Sequence, residues 1–119
     1  MLVFIPKKLI RLRRAPVKAF LLDDLKCKTF EYFRHEWNES NGLIADKNEP
    51  GSPASIAVLG MGLTVYTIAA ERGLLKRSEA VARTLAALRF LKNSHQGPEA
   101  DATGYKGFYY HFLAMQTGK

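Results

Sequence analysis

At 119 residues, 47% of them hydrophobic, the chain is long enough for one ordinary core and too apolar for compositional disorder, so one domain is the upper bound. Its formal charge of +7 is concentrated at one end: Lys7, Lys8, Arg11, Arg13, Arg14 and Lys18 supply six positive charges with no acid among the first 18 residues, leaving +1 on the other 101. A basic tail on a near-neutral body attracts phosphate or anionic lipid without a designed recognition surface, which argues against specific nucleic-acid binding. Cys27 is the only cysteine, which excludes an intramolecular disulfide and a cysteine-based metal site. Met1 to Ile5 is apolar but too short for a secretory signal core, and the charge follows it rather than precedes it, so no cleavable signal is expected and the compartment stays open.

The first organised segment follows Pro16. Leu22, Leu25, Thr29, Phe33 and Trp37 recur at helical spacing with Asp23, Asp24, Lys26, Lys28 and Glu31 on other faces, which predicts an amphipathic helix of about 20 residues ending near Asn38. Asn38-Glu39-Ser40-Asn41-Gly42 and Asn48-Glu49-Pro50-Gly51 are turn-forming. Between them, Gly42-Leu43-Ile44-Ala45-Asp46 docks two aliphatic side chains and presents Asp46, either as a sugar-binding carboxylate or, the favoured reading, as a turn residue.

Ser52-Pro53 announces a second helix, with serine as N-cap and proline at the first helical position, running to about Arg72 and stopped by Gly73. Ile56 to Ala70 carries no charge on any face, so this helix is expected to be buried all round. It is at the short limit for crossing a bilayer, and Gly60, Gly62, Thr64, Tyr66 and Thr67 dilute its hydrophobicity, so a membrane partner is not expected. Gly60-Met61-Gly62 lacks the preceding strand and third glycine of a dinucleotide site and reads as close helix packing. A third helix starts near Ser78, with Val81, Leu85, Leu88 and Leu91 or Lys92 as its spine and Arg77, Arg83 and Arg89 as solvated arginines. The short Glu71-Arg72-Gly73 corner makes the second and third helices antiparallel neighbours.

Beyond Asn93 the period changes from 3.6 to 2. Phe108, Tyr110 and Phe112 fall on one face of an extended segment and Tyr109, His111 and Leu113 on the other, which predicts a strand, and Gln116-Thr117-Gly118-Lys119 reads as a hairpin turn. That strand and turn have no visible partner, which points to truncation. Sugars stack their C–H faces on aromatic rings while polar neighbours receive their hydroxyls, so Asp101, Tyr105, Lys106, Tyr109, Tyr110 and His111 are the candidate substrate-binding residues; the alternative is that the aromatics merely pack a strand against the helices. No metal-ligand spacing joins His35, His95 and His111, no nucleophile arrangement stands out, and no cofactor is expected.

Several blocks occur together and in order: Leu22-Asp23 through Phe33, Asn41 through Asp46, Gly62-Leu63-Thr64, Glu71-Arg72-Gly73, Arg83-Thr84-Leu85, Leu88-Arg89-Phe90-Leu91, and Pro98 through Leu113. Over residues 20–119 they resemble the N-terminal part of the bacterial glucoamylase-like glycoside hydrolase family. The resemblance implies a mainly α fold, the N-terminal part of an (α/α)6 toroid of several hundred residues, with about three helices plus a C-terminal strand and turn. It divides the chain into a basic tail, 1–16, and a partial glucoamylase-like domain, 17–119. It also implies a glucan as partner, some relatives cleaving β-1,2-linked chains and many being exported or periplasmic. Where the family usually has Asp this chain has Ala114, and the family's Trp-Asp pair near Arg34-His35 is missing. Glycoside hydrolysis commonly needs two carboxyl groups on opposite sides of the scissile bond, and Glu99 and Asp101 share one loop. The expectation is a truncated segment with part of a sugar site, inactive alone and self-associating through exposed apolar surface; the alternatives are a non-catalytic carbohydrate-binding protein and a small membrane-associated or structural protein.

Overall fold

The computed structural model describes residues 7–119, with side chains from Ala19 onward; the Met1 to Ile5 reading lies outside the described residues. Three helices, α1 (Lys7–His35), α2 (Ile56–Glu71) and α3 (Arg77–Asn93), are joined by four two-residue strands: β1 (Ala54–Ser55), β2 (Gly104–Tyr105), β3 (Phe108–Tyr109) and β4 (Phe112–Leu113). The chain is therefore mainly α with two small antiparallel pairs, β1 with β4 and β2 with β3. The first helix starts at Lys7 rather than after Pro16. A proline inside a helix costs one backbone hydrogen bond without forbidding the helix from continuing on both sides.

α1 ends where expected, and the reason is the Asn38 side chain. Its Oδ1 accepts from the Ser40 N–H at 2.9 Å and its carbonyl accepts from the Gly42 N–H at 2.7 Å, turning the chain back. Gly42 has φ +74, and a Cβ there would lie 2.3 Å from the Ala87 backbone nitrogen, so only glycine lets this turn press against α3. The turn delivers Leu43 and Ile44 into the centre of the core, where both are fully buried. Ile44 reaches α2 at Gly62, whose missing Cβ would sit 2.2 Å from Ile44 Cδ1. The expected close packing at Gly60-Met61-Gly62 thus holds for Gly62, while a Cβ at Gly60 would meet nothing.

α2 begins three residues later than the Ser52-Pro53 signal predicts. Ser55 is the N-cap, its hydroxyl accepting from the Val58 N–H at 3.5 Å, because Ala54 and Ser55 are first used as a strand. Ser52 instead accepts from the Lys47 N–H at 3.0 Å and closes the preceding loop. The helix stops as expected at Arg72, with Gly73 at φ +70. It is not buried all round: Leu59, Gly62, Tyr66 and Ala69 form one buried stripe, and Met61 and Ile68 face solvent. No described helix is long and apolar enough to cross a membrane.

The stripe expected for α3 is reversed. Ala80, Arg83 and Ala87 face the core, while Val81, Leu85 and Leu88 are exposed. Arg83, read from the sequence as solvated, is 5% exposed. Its Nη1 donates to the Phe33 carbonyl at 3.2 Å and the Arg34 carbonyl at 3.1 Å, and its Nε and Nη2 hold Glu79 at 3.2 and 2.7 Å. Carbonyls in the last turn of a helix have no intrahelical donor, and a cation there also meets the negative end of the helix dipole. The guanidinium further lies 4.1 Å from the centre of the Trp37 ring and 5.6 Å from that of Tyr66. A leucine stripe cannot supply those donors, so α3 docks by its arginine, with alanines on either side for close approach.

The C-terminal strand has partners, contrary to the expectation of an unpaired one. Lys106 and Gly107, at φ 51 and 86, make the two-residue turn of a hairpin pairing Gly104 with Tyr109 and Tyr105 with Phe108. The segment then changes partner: Ala54 pairs with Leu113 and Ser55 with Phe112. Beyond it, the expected turn forms, closed by Ala114 N–H to the Lys119 carbonyl at 2.9 Å and Gly118 N–H to the Ala114 carbonyl at 2.7 Å. The Asn38 and Asn41 side-chain amides donate to the Met115 carbonyl at 2.9 and 3.2 Å, tying this turn to the end of α1.

Candidate functional site

The hairpin and β4 present a row of aromatic rings. Phe108, Tyr110 and Phe112 all face solvent, Phe108 at 81% exposure, with Tyr105 exposed beside them; His111, expected on the opposite face of one strand, is exposed too, because the chain bends there between β3 and β4 and the strict alternation is lost. Lys106 Nζ lies 5.1 Å from the centre of the Tyr105 ring, and the His111 and Phe112 rings meet edge to face at 4.3 Å. Tyr109 points the other way. Its hydroxyl donates to the Leu91 carbonyl in the last turn of α3 at 2.8 Å, so it anchors the hairpin and has no free hydrogen-bonding end.

Asp101 is separated from these rings. It lines an open depression of about 620 Å³ with Glu39, Asn41, Arg89, His95 and Lys119, and none of Tyr105, Lys106, Tyr109, Tyr110 or His111 lines it. Its carboxylate accepts from Lys119 Nζ at 3.0 Å, and that hydrogen bond together with the ammonium charge holds its pKa below the usual aspartate value. Glu99 is likewise held low, chiefly by its 2.9 Å hydrogen bond with His95 Nε2. A general acid needs its carboxyl pKa raised toward the working pH, so neither group is suited to protonate a leaving oxygen. The six predicted residues thus divide into exposed Tyr105, Lys106, Tyr110 and His111, an anchoring Tyr109 and a distant Asp101.

The structure gives Asp46, weighed in the sequence as a sugar carboxylate or a turn residue, neighbours that the sequence pattern did not assign to it, Glu49 and Phe112. Asp46, reached through the buried Leu43–Ile44 insertion, lines a shallow depression of about 320 Å³ together with Lys47, Glu49, Pro53 and Phe112. The position of Asp46 is set by its N–H, which donates to the Pro53 carbonyl at 2.8 Å, in line with the turn role. The Ala45–Ala54 bridge and the β1–β4 pair bring this loop alongside the aromatic row. No sequence signal links residue 46 with residue 112; the link is made by strand pairing. Among the described residues, no group of three or more His, Cys, Asp or Glu side chains is placed to hold a metal ion. Comparison with protein-family models, with curated proteins and with solved structures returned no match.

Proposed function

We propose that this chain is a glucan-binding segment of an α/α-toroid glycoside hydrolase, contributing an aromatic rim to the sugar site without the means to hydrolyse a glycosidic bond by itself. The observation that carries the sugar reading is the meeting of Phe112 with the Asp46 and Glu49 carboxylates in one open depression. A ring offers the apolar face on which a pyranose stacks, and carboxylates accept its hydroxyls. The exposed Tyr105, Phe108 and Tyr110 offer further rings along the hairpin.

The toroid reading is supported by the outward faces of the helices. α2 and α3 pack on one another across the corner 72–76, yet Met61 and Ile68 on α2 and Val81, Leu85 and Leu88 on α3 remain exposed. Apolar faces of this kind are what stacked helix pairs cover in one another. The reading of inactivity is supported by Asp101 and Glu99, each held low by its ion-pair partner, and by Ala114, which offers no carboxylate at the position where the resembled family has one.

Titration of the purified chain with linear β-linked gluco-oligosaccharides tests this. Binding is expected at millimolar to micromolar affinity with no release of reducing ends, and Phe112→Ala or Tyr110→Ala should weaken it about tenfold, a lost stacking contact being worth roughly 1 to 1.5 kcal/mol. No binding, or binding indifferent to both substitutions, sinks the sugar reading. Turnover abolished by Asp101→Asn would overturn the claim of inactivity. Tyr109→Ala is a poor probe because it releases the hairpin from α3.

A further inference from the structure

α2 turns a second side outward, away from the stripe that holds it to the core. Ala57, Met61, Thr64, Ile68 and Glu71 are all exposed, and at ~100° per residue they centre roughly 160° round the axis from Leu59, Gly62, Tyr66 and Ala69. Met61 is 59% exposed and Ile68 47%. Their intervals of four, three, four and three are those of a seam by which one helix packs on another. From Ala57 to Ala70 this side carries no charge, and the first one met is Glu71 in the last turn. Arg72 belongs to the flank, where it lines the groove between α1 and α2 with Leu25 and Phe30.

We infer that the outward side of α2 is the contact surface of a homodimer, in which the α2 helices of two copies of this chain lie antiparallel about a two-fold axis at Thr64. In an antiparallel pair each flank meets the same flank of the other helix. Met61 of each copy therefore packs on Ile68 of the second copy, Thr64 meets Thr64, and Ala57 meets Glu71. Charge chooses both the direction and the face. α2 has no acidic residue in its first turn, and the antiparallel arrangement brings Glu71 of the second copy to that positive end of the helix dipole. A parallel arrangement would set Glu71 against Glu71. The apolar side of α3 offers the same symmetry and fails on charge, because Val81, Leu85 and Leu88 lie between Arg77 and Lys92. Pairing Val81 with Leu88 of a second copy puts Arg77 against Lys92, cation on cation. The toroid reading gives the outward side of α2 to a neighbouring helix pair; where the chain stands alone, a second copy takes that place. The inference gives a surface and a symmetry to the self-association expected from the sequence, and it is independent of the sugar reading.

Sedimentation equilibrium of the full 119-residue chain, from about 1 µM to about 1 mM, tests the inference. One helix-to-helix contact is smaller than a standard interface of ~1,600 Å², so a reversible dimer with a dissociation constant on the order of 10 µM or weaker is expected. Thr64→Arg sets two guanidinium groups against one another at the axis and should leave monomer throughout that range. Its denaturation midpoint at the dilute end should match that of the native chain, because residue 64 is exposed. Leu85→Glu on α3 should leave the dimer intact. With the exposed Cys27 changed to Ser, Thr64→Cys should cross-link to its own copy on mild oxidation. Ala57→Cys should not, since the two 57 positions lie about 21 Å apart along the antiparallel pair and a disulfide spans about 7 Å between Cα atoms at most. A chain that stays monomeric up to about 1 mM overturns the inference. So does a dimer abolished by Leu85→Glu and indifferent to Thr64→Arg, and self-cross-linking at residue 57 overturns the antiparallel arrangement.

Discussion

Two clusters in this molecule draw on the same residue types and treat them in opposite ways. At the junction of the helices, the Trp37 and Tyr66 rings flank the Arg83 guanidinium, which donates to Glu79 and to two carbonyls at the end of α1. Along the hairpin and β4, Tyr105, Phe108, Tyr110 and Phe112 stand in solvent with Lys106 and His111 beside them. The difference lies in the backbone. The last carbonyls of α1 lack helical donors, so a buried arginine is held where it satisfies them. The hairpin and β4 have short ladders of their own, and the outward side chains of that segment are left over for something outside the chain.

The junction should be the more fragile of the two under substitution. Arg83→Ala is expected to destabilise the protein by about 3 kcal/mol in urea denaturation, because the buried Phe33 and half-buried Arg34 carbonyls lose a charged donor and Glu79 its partner. Arg83→Lys keeps the charge but not the planar fork, and should recover less than half of that loss. A change under about 1 kcal/mol for Arg83→Ala would show that the leucine side of α3 can dock instead. Gly42→Ala should cost about 2 to 3 kcal/mol, since it combines a positive φ with a clash against the α3 backbone. Gly62→Ala meets only the end of the Ile44 side chain, which can move, and should cost less.

Tyr109→Phe sits between the two regions. It should lose about 1 kcal/mol through the hydrogen bond to Leu91, whereas Phe108→Ala on the outward face should change stability by less than about 0.5 kcal/mol. If Phe108→Ala is the more damaging, the aromatic row packs against the body and the sugar reading loses its basis.

The smallest effect is electrostatic. The Asp101 carboxyl is lowered in the folded protein by Lys119, so the unfolded chain binds its proton more readily. The contribution is present at pH values above the ordinary aspartate range and is lost as pH falls below about 4 through the depressed folded value. Stability measured against pH should therefore fall more steeply for the native chain than for Asp101→Asn in that acid range. Because the pair is exposed, high salt should erase most of the difference.

Helix existence, the Asn38–Gly42 stop, the Gly73 stop and the common face of Phe108, Tyr110 and Phe112 were legible because each depends on neighbours in sequence: spacing, turn chemistry and alternation; that this face is exposed was decided by the fold. The N-cap at Ser55 was missed because strand pairing with Leu113 and Phe112 claims Ala54 and Ser55 first. The candidate site was legible in part. Tyr105, Lys106, Tyr110 and His111 share the exposed segment, but Asp101 lies in another depression and Asp46 joins Phe112 only through pairing across the fold.

By itself the sequence determined three helices, about where each stops, and the shared face of Phe108, Tyr110 and Phe112, since those follow from period and local backbone preference. The tertiary structure alone decided which side of α3 is buried. Hydrophobicity favours the Val81, Leu85 and Leu88 side, but the Phe33 and Arg34 carbonyls at the end of α1 take the Arg83 guanidinium as donor, and Arg83 lies on the opposite side.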